Sequence, residues 1–193
     1  MKALAKIKIH PSSVIFAAVL VLLEGSALCL VPFAAALCHE LGHLLMMRIC
    51  SCEADSFEIG LFGAEISTAL WDLGVLRTTA IYAAGAAANL ISAACVTAFF
   101  GHTVAAELFT ACSISLAVVN MLPIRSLDGG CIAEAIIYKI SPLHAHTVLT
   151  VISAVTIVIL WLASVYLILL FNANISLLLF CIYLFATLFL RRE

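Results

Sequence analysis

His39-Glu40-Leu41-Gly42-His43 puts two imidazoles and a carboxylate at a spacing that suits one metal ion. In a helix, residues i and i+4 share a face, so His39 and His43 can both aim a ring nitrogen at the same point. Glu40, one step round the helix from His39, is placed to take a proton from a water molecule there. The competing reading is a chance pair of histidines on a wetted helix surface. The flanks argue against it, since Val31–Leu37 and Leu44–Met47 are apolar and offer no solvated face. Ionisable groups at membrane depth cost about 2.5–3.5 kcal/mol each on insertion scales, and their default reading is functional.

A catalytic zinc site normally has three protein ligands and a water, so a third ligand is expected. The carboxylates near the apolar segments are Glu24, Asp72, Glu107, Asp128 and Glu134. Asp128 lies in Asn120-Met121-Leu122-Pro123-Ile124-Arg125-Ser126-Leu127-Asp128-Gly129-Gly130, where Pro123 ends one apolar segment and Asp-Gly-Gly gives a tight backbone as a helix restarts. An aspartate there could simply cap the helix Gly129–Ile140. Its position on the same membrane side as the histidine turn favours Asp128 as the ligand. Glu24 is the second choice, with a carboxyl hydrogen-bonded between helices as its alternative. Asn89, in Gly85-Ala86-Ala87-Ala88-Asn89, has two readings: an interhelical hydrogen bond beside small packing residues, or an amide that steadies a developing oxyanion. His10, His102, His144 and His146 fall at segment ends and are not expected to be ligands.

The elements that must hold these groups are apolar. Of the 193 residues, 65% are hydrophobic and 10% charged, and mean hydropathy is +1.24. A soluble domain carries about 25% charged residues. The composition is that of a polytopic, all-α membrane protein, and no nucleic-acid partner is expected; the net charge of −2 says nothing on that point, and what matters is where the charges lie. About six transmembrane helices are expected, near Ser12–Val31, Phe33–Ile49, Leu76–Phe100, Val104–Leu122, Leu143–Leu170 and Ile175–Leu190, with turns at Pro32 and at Asn172 and Asn174. No cleavable signal peptide is expected. Basic residues concentrate on the cytoplasmic side of membrane proteins. With six spans, all nine (Lys2, Lys6, Lys8, Arg48, Arg77, Arg125, Lys139, Arg191, Arg192) fall on one side. Both termini are therefore expected in the cytoplasm, in a multi-pass protein of the cell membrane.

Cys50–Arg77 is the one sizeable polar interval. Within it, Ser56–Ser67 alternates polar and apolar residues around a Gly-containing turn, the pattern of a small membrane-associated β-hairpin between the second and third spans. The eight cysteines form no disulfide framework. Five lie in apolar spans as small hydrophobes, and the Cys50-x-Cys52 pair is too sparse to mark a metal site.

His39-Glu40-Leu41-Gly42-His43, Gly85-x-x-x-Asn89 and Asn120-x-x-Pro123…Leu127-Asp128-Gly129-Gly130 together resemble the site-2 proteases, the intramembrane zinc metalloproteases. With Ile7-Lys8-Ile9-His10-Pro11 and Leu61-Phe62-Gly63, they most resemble the sporulation branch, whose stage IV protease processes a precursor sigma factor. The resemblance covers roughly residues 7–146. It implies a three-helix catalytic core, one Zn2+ per chain held by His39, His43 and Asp128, and Glu40 as the catalytic base. Asn89, Asn120 and Pro123 are the expected auxiliary or substrate-binding residues. It also implies cleavage of membrane-associated or single-span protein substrates near the cytosolic face, with inhibitory membrane proteins as further partners. The chain departs from the family at Ala86, where Pro is usual, and at Arg125-Ser126, where apolar residues or Pro are common. A single membrane-embedded metalloprotease domain over residues 1–193 is expected, with no PDZ or CBS domain. Two rival classes are a metal-ion carrier or transporter, which would call for an inverted repeat, and an inactive membrane-binding relative. The chain has no second copy of the polar motif, and it retains Glu40.

Overall fold

Pro32 opens a helix where the sequence led us to expect a turn. Ser26 Oγ accepts a hydrogen bond from Leu28 N and starts a 3-10 turn, Ala27–Leu30, which runs directly into helix α1, Val31–Ile49. Proline is tolerated there because a first-turn N–H has no partner within the helix. Residues 27–30 therefore lead into α1 instead of closing the expected first span. The rest of that span, together with His10 and Glu24, lies outside the described residues. The computed structural model describes residues 7–9, 26–52, 56–60, 63–67, 74–171 and 175–190, with only the backbone for the strands and for residues 171, 189 and 190.

The chain forms two compact units, Met1–Val119 and Asn120–Glu193. In the first, strands β1 (Ile7–Ile9), β2 (Ser56–Gly60) and β3 (Gly63–Ser67) form a sheet in that order. β1 runs parallel to β2, with Lys8 opposite Glu58. β2 and β3 are antiparallel, with Glu58 opposite Glu65 and Gly60 opposite Gly63. Leu61 and Phe62 of the Leu61-Phe62-Gly63 motif are outside the described residues, as is Asp72. Helix α2, Val75–Phe100, packs along α1, and α3 spans Val104–Asn120. Gly74 and Gly101 bracket α2 at φ 76° and 61°, conformations that residues with a Cβ disfavour. Thr97 Oγ1 and Thr110 Oγ1, 3.0 Å apart, link α2 to α3.

α1 and α2 meet through small residues. The buried positions of α1 are Ala35, His39, Gly42, His43 and Met47, one stripe at helical spacing. Those of α2 include Thr78, Ile81, Gly85, Asn89 and Ala93, a second such stripe. A Cβ on Gly42 would stand 2.5 Å from the Ala84 carbonyl oxygen and 2.6 Å from Ala88 Cβ. Only a glycine permits that approach, and lipid-embedded helices associate by such close packing. Met47 and Ile81 fill the contact near the end of α1, with Met46, Cys50, Cys52 and Tyr82 around them.

The second unit holds α4 (Asp128–Ile140), α5 (Ala145–Phe171) and α6 (Ser176–Leu190), with α5 packed on both of the others. Its core joins Ile124, Ile157 and Leu184. Among the described residues, three helical stretches are long and apolar enough to cross a membrane: Ala27–Ile49, Val75–Phe100 and Ala145–Leu170. Val104–Asn120 and Ser176–Leu188 are apolar but shorter. Leu37, Leu41, Leu45 and Ile49 are exposed along α1, as are Val151, Val155, Ile159 and Leu162 along α5. Outward apolar stripes of this kind suit a lipid solvent, and the chain is an integral membrane protein.

Candidate metal centre

His39 and His43 lie on the buried stripe of α1, at 4% and 3% exposure. Their Nε2 atoms are 3.1 Å apart and their rings stand at 81° to one another. Two nitrogens bound tetrahedrally to one zinc, each at 2.0–2.1 Å, would be separated by about 3.3–3.4 Å. The pair therefore fits a shared metal ion with little adjustment.

Each ring is also held from behind. His43 Nδ1 lies 2.8 Å from the Ile81 carbonyl oxygen, which can only accept. Nδ1 must then carry the ring proton, and in the neutral ring Nε2 keeps a lone pair free for a metal. His39 Nδ1 lies 3.2 Å from Asn89 Nδ2. Tyr82 stands edge-on to His43, with ring centroids 6.4 Å apart.

The space for both rings comes from Gly85. A Cβ at that position would collide with His43 Nε2 and would lie 2.6 Å from His43 Cε1 and 2.7 Å from His39 Cε1. Ile81, Gly85 and Asn89 follow one another at i, i+4 and i+8 on α2, so one face of that helix supplies an acceptor, a gap and an amide. Glu40 is half-buried, one residue along α1 from His39.

In the second unit, Asp128 is the first residue of α4 and is half-buried. The cap position belongs to Leu127, with extended φ −118° and ψ 162° and no side-chain cap bond. The helix thus begins one residue earlier than the capping alternative requires, and Asp128 is not its N-cap. Residues 121–127 form a tight loop, with Leu127 N donating to the Ile124 carbonyl at 2.8 Å. Ile124 is fully buried and pins the loop to the core of this unit. Ser153 Oγ of α5 accepts from Arg125 N at 3.0 Å and donates to the Pro123 carbonyl at 3.4 Å. A Cβ on Gly129 would lie 2.6 Å from the Leu122 carbonyl oxygen and clash with Met121. One on Gly130 would run into the Ile124 carbonyl and come within 2.8 Å of Arg125 Cα. Both glycines are required by close backbone approach. Asn120 ends α3 and Pro123 lies within the loop, both half-buried.

The structure thus brings His39 and His43 together, puts Asn89 on His39 Nδ1, and places Asp128 at a helix start beside a tied-down loop. His102 is at the surface with Glu107, 3.3 Å away, and His146 with Arg125. Sequence reasoning missed three contributors. Ile81 acts through its carbonyl, which carries no side-chain signal. Gly85 reads in the sequence as a packing residue, although its spacing from Asn89 places both on one helix face. Ser153, one of two serines in an apolar helix, gave no cue.

A sequence profile described as Peptidase family M50 matches residues 98–162. That stretch contains Asn120, Pro123 and Asp128-Gly129-Gly130, but not His39–His43. No match was found among curated proteins. Among solved structures, the chain is similar to a site-2 protease from Methanocaldococcus jannaschii, at 19% identity and a TM-score of 0.66. The alignment covers 97% of this chain and 90% of that one. The fold is therefore that of a site-2 protease.

Proposed function

We propose that the protein is an intramembrane zinc metalloprotease. The buried His39–His43 pair carries this reading: two ring nitrogens 3.1 Å apart, with one ring held by a carbonyl that keeps its proton on Nδ1 and its Nε2 lone pair toward the other ring. The fold likeness and the profile match support it. Asp128 is proposed as the third ligand, because two imidazoles leave a catalytic site one ligand short and Asp128 opens α4 directly after a loop tied by Ser153 and by the close backbone approach at Gly129 and Gly130.

A bound zinc ion would acidify water and polarise the scissile carbonyl. Glu40 would take the proton of the attacking water as its oxygen adds to the carbonyl carbon. It would return that proton to the amine as the C–N bond breaks. The substrate class is a membrane-associated or single-span protein cut near the cytosolic face, of which a sporulation-type precursor sigma factor is one instance. Six spans with both termini in the cytosol are part of the proposal, because that arrangement puts every basic residue on one side. A C-terminal reporter found outside the cytosol would overturn this topology.

Glu40→Gln tests the chemistry. The amide keeps the size of the side chain but cannot accept a proton at neutral pH. Co-expressed with membrane-tethered substrates, the variant should keep its zinc and lose cleavage by about 10²–10⁴-fold. A metal carrier would tolerate the change, and wild-type cleavage by this variant would refute the enzymatic reading.

A further inference from the structure

We infer that Asn89 is a positioning residue that sets the tautomer of His39 through its side-chain amide, and thereby the zinc affinity of the pair. This inference rests on the metal reading above. The observation behind it is an imbalance around one amide. Asn89 is fully buried. Its Nδ2 faces His39 Nδ1 at 3.2 Å, while its Oδ1 has no hydrogen-bond partner among the described residues. A buried carbonyl oxygen left without a donor costs about 1–3 kcal/mol, and this one is an acceptor in reserve beside His39.

The two orientations of the amide correspond to two protonation patterns of His39. With Nδ2 toward the ring, His39 Nδ1 accepts and the proton sits on Nε2. From there it points at His43 Nε2, 3.1 Å away. The His43 Nε2 lone pair can accept it, because the Ile81 carbonyl fixes the proton of His43 on Nδ1. The four groups are then chained: Asn89 donates to His39, His39 to His43, and His43 to Ile81. This pattern blocks both Nε2 atoms, one with a proton and the other by accepting it.

Turning the amide about its terminal bond puts Oδ1 against His39 Nδ1. The ring proton then moves to Nδ1 and is donated to Oδ1, which gains the partner it lacks. No proton then lies between the two Nε2 atoms, each of which turns a lone pair to the other, and the proton count does not change. Ligating histidines characteristically donate their other ring N–H to a carbonyl or carboxylate. Ile81 supplies a fixed acceptor for His43. Asn89 supplies an adjustable one for His39, on the same face of α2 and two turns further along.

Aspartate at position 89 has the shape of asparagine but only acceptor atoms, so it holds the proton on His39 Nδ1. Leucine has similar bulk and no polar atom. Purified protein in detergent would be titrated with zinc against a competing chelator, and the unfolding temperature of each variant would be recorded without zinc. Asn89→Leu should weaken zinc binding by about 10–100-fold, while Asn89→Asp should keep it near the wild-type value. If Asn89→Leu does not fold, Asn89→Ala takes its place as the variant without an amide. Wild-type zinc affinity in the variant without an amide would overturn the inference, as would equal losses in that variant and Asn89→Asp. Lower unfolding temperatures with unchanged zinc affinity would leave Asn89 a packing residue, which also overturns it. If the wild-type protein bound no zinc, the metal reading itself would fail and this inference with it.

Discussion

The histidine pair on α1 and the loop that leads into Asp128 hold polar groups in place by opposite means. Around His39 and His43 the scaffold is regular helix, and room for the rings exists because atoms are missing. Gly85 omits a side chain at the rings, and Gly42 omits one where α1 lies on the Ala84 backbone. Just before Asp128 the backbone is irregular and is tied by added contacts: a buried Ile124 and two hydrogen bonds with Ser153, one accepted and one donated by its hydroxyl. A helix fixes its own register, so a site built on it needs only space and partners for the outer ring nitrogens. A loop has no register of its own and needs external anchors before an aspartate at its end can be placed.

The sharpest way to break this contrast is to refill the first region. Gly85→Val would drive a branched side chain into both imidazoles. It should abolish tight zinc binding and destabilise the fold by about 1–3 kcal/mol, the usual range for overpacking. Zinc titration and thermal unfolding in detergent check both parts. Unchanged zinc affinity would mean that Gly85 does not shape the site.

Next in size is Asp128→Ala, which removes the proposed third ligand and leaves the helical pair intact. Most of the bound zinc should be lost without unfolding, because two imidazoles alone make a poor site. Elemental analysis of the purified variant measures it. Undiminished zinc would pass the third-ligand assignment to Glu24.

Ser153→Ala should have the smallest effect and bears on the loop alone. It deprives Arg125 N and the Pro123 carbonyl of their bonds to Ser153. The expected loss is about 1–3 kcal/mol of stability, read from the unfolding transition. No loss would show that Ile124 anchors the loop by itself.

The same contrast explains what could be read from the sequence. The meeting of His39 and His43 was legible because helical periodicity converts spacing into a shared face. Helices over 33–49, 76–100, 104–120, 145–170 and 176–190 follow apolar stretches marked off by charges and turn residues, so they too were legible. The tie from Ser153 was not, because it joins residues 28 and 30 positions apart through one hydroxyl. The Ile81 acceptor was equally hidden, since any residue at that point would present the same carbonyl. Asn89 was legible as a polar group beside small residues, but its partner depends on how α1 and α2 pack. The entry to α1 was misjudged because proline both ends segments and opens helices, and the sequence around Pro32 fits either use.

The central claim is that the buried pair on α1 is a zinc centre, and metal content tests it most directly. Wild-type protein and His43→Ala would be purified in parallel from cells and analysed for zinc per chain. One zinc per wild-type chain and almost none in the variant is the result expected from two convergent imidazoles. A wild-type protein without zinc, or a variant that retains the full complement, would contradict the account.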